Sequence, residues 1–88
     1  MLEQVFDDVL TDPTLNTALT VARKMVEQGI IDKEEIRSFI VGFLSGAFLT
    51  EGSRLATTPE KLVEIADECT NILLRRAWEM RDHILDIG

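Results

Sequence analysis

The sequence predicts an all-α fold: a small four-helix bundle with a short first helix and a long C-terminal helix, completed by oligomerisation. Three observations carry that expectation. Apolar residues recur at three- and four-residue spacings along most of the chain, the period of a helix that buries one face. Strict apolar/polar alternation is absent and there is no tyrosine, so no strand pattern competes. The segment FIVGFLSGAFLT, residues 39–50, is apolar nearly all round, and such a helix is buried on most sides.

The first helix is expected over residues 2–11, where Leu2, Val5, Phe6, Val9 and Leu10 form one stripe. A helix this short is marginal alone and must dock on the rest. The second starts at Asp12-Pro13, an acceptor for free N–H groups followed by a residue that has none to lose. Leu15, Ala18, Leu19, Ala22, Met25 and Val26 give its buried face, and Gly29 supplies the left-handed residue that ends it, with Ile30 folding back over the last turn. The third starts at Asp32, with Glu35 placed to complete a capping box, and runs over 33–50 to a stop near Gly52. The fourth starts at Thr57/Thr58-Pro59-Glu60 and runs to about Asp86. At 1.5 Å per residue it would be about 40 Å long, in a globule with a radius of gyration of about 12 Å. Its far end is therefore expected to project or to pack on a second copy.

Two patterns single out an association surface. Ser38, Gly42, Gly46 and Thr50 recur every fourth residue on the third helix. Glycine inside a helix costs about 1 kcal/mol against alanine, so the pair implies close approach of another helix. That helix is either in a second chain or in this one, under a bulky side chain such as Trp78 or Phe6. On the fourth helix, Leu62, Ala66, Cys69, Leu73, Ala77, Met80, Ile84 and Ile87 form a coiled-coil-like seam with one stutter. Its first half is expected to pack inside and its second half against another chain. The expected oligomer or partner interface comprises Phe39, Gly42, Phe43, Gly46, Phe48, Leu73, Trp78, Met80 and Ile84.

Composition narrows the function. The 88 residues fit one domain, 1–88, of net charge −7 and 45% hydrophobic. That is too apolar for a disordered chain and too acidic for a general nucleic-acid binder, whose affinity comes from neutralising phosphates. A helix-turn-helix across Gly29 fails because FIVGFLSGAFL presents no polar side chains to base edges. The one cysteine excludes a disulfide scaffold and fits a reducing compartment. No apolar run approaches the roughly 20 residues of a bilayer span, and MLEQVFDD lacks a basic signal-peptide start. A cytoplasmic location, no membrane and no direct nucleic acid are therefore expected. Glu60, Glu64, Asp67 and Glu68 form an acidic partner surface, suited either to solubility or to a basic partner.

Catalytic groups are sparse. Cys69 sits on the apolar seam, and His83 lies 14 residues on along the same helix, roughly 21 Å away. Arg75 is one turn from Glu79, placed to pair with it, and Glu79 with His83 makes only two ligands, too few for a metal. KLVEIADECTNILLRR, residues 61–76, with its Glu64-x-x-Asp67 pair, resembles one helix of the all-α nucleoside-triphosphate pyrophosphohydrolases. That resemblance implies Mg²⁺ held between carboxylates of two helices. The family's other acidic helix has no counterpart: Glu34 and Glu35 are followed by no acid until Glu51. The expectation is a non-enzymatic protein–protein interaction module, an adaptor or small inhibitor of a larger protein machine, with no cofactor and no metal. It self-associates as a homodimer or higher oligomer and takes a further protein partner, a basic one where the acidic surface is used. The alternatives are a Mg²⁺-dependent pyrophosphohydrolase-like protein and an acidic mimic that occupies a nucleic-acid-binding protein.

Overall fold

A computed structural model describes residues 1–87, with the side chain of Ile87 and all of Gly88 outside the described residues. The described chain is all helix: α1 (Leu2–Val9), α2 (Asp12–Glu27), a 3₁₀ turn (Lys33–Glu35), α3 (Ile36–Ser53), α4 (Pro59–Arg75) and α5 (Ala77–Ile87). The expected fourth helix is thus two, and the described helices number five rather than four.

The helix boundaries follow from local chemistry. α2 begins one residue earlier than its proline signal implies, with Thr11 as the N-cap and Asp12 inside the first turn, where its charge suits the dipole. Gly29 takes φ +74°. The Gly29 and Ile30 amides then donate to the Val26 and Met25 carbonyls at 3.0 and 2.9 Å, closing α2. The capping box at Asp32 is formed, with the Asp32 amide donating to Glu35 Oε1 at 2.9 Å. Thr58 Oγ1 accepts from the Lys61 amide at 3.1 Å and starts α4 behind Pro59.

α3 carries the most apolar surface, and every other helix packs on it. Ile40, Leu44 and Phe48 form its buried stripe. Phe48 is fully buried and meets Phe6 of α1 edge-to-face, centroids 5.3 Å apart. Leu15 and Ala18 of α2, Cys69 and Ile72 of α4, and Met80 and Ile84 of α5 complete the core. Gly52 sits where a Cβ would lie 2.9 Å from Cys69 Sγ and 3.2 Å from a Leu2 methyl. It is therefore a packing position of α3 and not only a stop.

The break between α4 and α5 falls at Arg76, with φ −108° and ψ 15°. Its guanidinium lies 4.3 Å from the Phe6 ring centroid and pairs with Glu3, Asp7 and Glu79 at 3.1, 2.6 and 2.7 Å. Arg75 reaches Glu3 at 2.6 Å. The expected Arg75–Glu79 pair is replaced by Arg76–Glu79, because the bend at Arg76 turns Arg75 toward α1. The expectation that the far half of this segment meets another chain is corrected at two positions: Met80 and Ile84 of α5 enter the chain's own core. The molecule is still elongated, 41 × 23 × 19 Å with a radius of gyration of 13.9 Å.

Candidate functional site

Seen from α3, the surroundings are uneven. Its inner stripe is covered, but Ser38, Gly42 and Gly46 point to solvent or to its edge. A Cβ built at Gly42 or at Gly46 would meet nothing within 4 Å. The intramolecular explanation for these glycines is thereby removed, since neither Trp78 nor Phe6 covers them. Phe39 and Phe43, half-buried with centroids 6.2 Å apart, flank the notch on one side. Val41 and Leu49, each more than a third exposed, lie on the other. No charged residue occurs on α3 between Arg37 and Glu51.

α5 extends this apolar face. Trp78, Arg81 and Leu85 are three and four residues apart and share one stripe. Arg81 lies over the Trp78 ring at 5.0 Å, leaving the indole 69% exposed. A groove of about 330 Å³ joins the two helices, lined by Ser38 and Val41 of α3 and by Arg81, Ile84 and Leu85 of α5, with Arg37 at its end. Leu74, near the end of α4, is also exposed. Exposed aromatic and aliphatic side chains grouped on one face mark an interaction surface more often than scattered ones do.

The structure therefore divides the interface expected from sequence. Gly42, Gly46 and Trp78 are open, and Phe39, Phe43 and Leu73 are half-buried. Phe48, Met80 and Ile84 belong to the core and present almost no surface to a partner. Their apolar spacing reports burial, which a core and an interface share. Val41, Leu49, Leu74 and Leu85 were missed, and the signal for the first two was present: both fall off the main apolar face of α3.

The acidic surface is where the sequence places it, with Glu60, Glu64, Asp67 and Glu68 all exposed on α4. Glu64 is held by Lys61 at 3.0 Å. Among the described residues, no group of three His, Cys, Asp or Glu side chains comes together as a metal site. Cys69 is buried, and burial first, then the charge of Glu68, raise its pKa. The thiol is held protonated and is a poor nucleophile. Among the described residues no helix is long and apolar enough to cross a membrane.

No family model matches the sequence, and comparison with curated proteins and with solved structures finds no match.

Proposed function

We propose that the chain is a non-enzymatic helical interaction module, an adaptor or a small inhibitor of a larger protein machine, that self-associates through the outer face of α3 and the adjoining stripe of α5. One observation carries the reading. The Gly42/Gly46 notch is empty within the chain, yet Phe39, Phe43, Val41 and Leu49 flank it on α3, and α5 exposes Trp78. Two interior glycines cost the lone helix about 2 kcal/mol together. A second helix backbone laid in the notch recovers that cost by close packing, and the flanking side chains are then withdrawn from water. A two-fold arrangement, with the notch of one copy against that of another, uses a single patch twice. A stable interface covers about 800 Å² per partner, about one seventh of this molecule's 5890 Å².

Light scattering should return a mass of at least twice 9.9 kDa. Gly46→Leu should return a monomer with its helix content intact, since the new side chain meets nothing in its own chain. A wild-type monomer persisting to about 1 mM, where even an association of about −4 kcal/mol would register, would reject the reading. The acidic α4 surface supports a basic partner as the second ligand of the module: Glu60, Asp67 and Glu68 have no ion-pair partner among the described residues.

A further inference from the structure

A groove larger than the one beside the glycine face lies elsewhere. It measures about 640 Å³ and lies where α2 meets the start of α3 and the end of α5. Its floor is aliphatic, formed by Leu19, Ile36, Ile40 and Ile84, and Arg23, Lys33 and Arg37 stand around it with Glu34 as the one acid. In a chain of net charge −7 this is a local excess of cations. These cations are also unengaged: Arg54, Lys61, Arg75 and Arg76 hold carboxylates within 4.0 Å, whereas Arg23, Lys33 and Arg37 hold none among the described residues. The neighbouring Asp32 and Glu35 carboxylates are occupied by the capping box. The start of the α3 helical run adds the positive end of its dipole.

The opposite end of α3 carries the complement. α4 begins there, and its outer face presents Val63, 63% exposed, between Glu60, Glu64 and Asp67. Groove and acidic turn are separated by the length of α3 from Ile36 to Gly52, about 24 Å.

We propose that the basic-rimmed groove of one copy receives the acidic first turns of α4 of a second copy, with Val63 over the aliphatic floor and Glu60, Glu64 and Asp67 against Arg23, Lys33 and Arg37. This contact rests on the reading of the chain as a self-associating module and adds to the apolar α3 contact a second one of different chemistry. It joins two different surfaces at opposite ends of α3. Repetition therefore propagates a row or closes a ring, whereas the glycine face pairs copies and stops. It gives the like-charge row on α4, which repels itself within one chain, a counter-surface for which a separate basic partner would compete.

The test is the mass of the whole chain by sedimentation or light scattering at about 0.05 M and about 0.5 M NaCl, because screening at the higher salt shortens the reach of charge to a few ångströms. At low salt, mass should climb with concentration beyond the dimer; at high salt it should fall back to the species made by the α3 face. Arg23→Glu with Lys33→Glu should weaken the salt-sensitive step more than about tenfold, and so should Glu64→Lys with Asp67→Lys. All four positions are exposed, and circular dichroism checks that each variant folds. Mixing the two charge-reversed variants should restore assembly, since each then offers what the other's altered surface needs. A mass indifferent to salt, variants that assemble like wild type, or a mixture that stays at the size of its parts would each overturn the proposal. The high-salt mass judges the α3 face separately: a dimer there with no low-salt growth rejects only the groove contact, and a monomer under both conditions rejects both.

Discussion

Gly46 and Gly52 are six residues apart on one helix and have opposite surroundings. Nothing lies within 4 Å of a Cβ at Gly46, while Cys69 Sγ and a Leu2 methyl crowd one at Gly52. Gly46→Ala should therefore stabilise the monomer by about 0.5–1 kcal/mol, through helix propensity and a less flexible unfolded chain. Gly52→Ala should destabilise it by about 1–3 kcal/mol through overpacking. Urea midpoints of the two variants check both signs. Cys69, buried beside Gly52 with a raised pKa, should react with an aromatic disulfide reagent only as fast as the fold opens. Rapid labelling of the native protein would contradict its burial. At this scale the sequence was readable only in part. A glycine in a helix shows that something unusual is required there, but the letter does not say whether it is a neighbour or an absence of one.

Among the elements, the break at Arg76 shapes the molecule most. The seam on residues 62–87 keeps helical spacing straight through it, and no proline or glycine marks it. Contacts distant in sequence converge on it: Glu3 and Asp7 pair with a guanidinium that also stacks on Phe6. A local reading of helix signals cannot see it, whereas the caps at Asp32 and Thr58 and the Gly29 stop, all local, were legible. Arg76→Leu should cost about 1–2 kcal/mol by loss of partly buried charge-assisted hydrogen bonds, measured by thermal unfolding. Glu79 carries a pH signature of the same cluster. Its hydrogen bond from Arg76 lowers its pKa, against a smaller opposing effect of burial. A carboxylate lowered in the folded state stabilises the fold above its ordinary range and loses that contribution as pH falls through the folded value. Wild type should thus lose more stability than Glu79→Gln between about pH 6 and about pH 3, and equal losses would dismiss the coupling.

On the scale of the whole molecule, five described helices built around α3, which keeps one open face, replace the expected bundle of four with a short first and a long last helix. The all-helical fold and the apolar excess of α3 were visible in its letters. Which part of that excess the chain covers for itself was not, because Phe48 and Leu49 are adjacent and equally apolar, yet one is fully buried and the other more than a third exposed. Trp78, the single tryptophan, lies on the proposed contact face and offers a direct readout. Its emission should shift to the blue as concentration rises and association withdraws the indole from water. The shift should be absent in Gly46→Leu.

The bridge between Arg75, Arg76 and the first helix also has a consequence during synthesis. Glu3 and Asp7 wait for partners more than 65 positions downstream, so the charged half of α1's anchorage, unlike its Phe6–Phe48 contact with α3, forms only after Arg75 and Arg76 have left the ribosome. At about 5–20 residues per second, the 34 residues from the end of α3 to the end of α5 take about 2–7 s to make. Through that interval the oiliest part of the nascent chain lacks its final cover. A chaperone that grips short apolar segments would find its best purchase there, and its release should coincide with the arrival of α5.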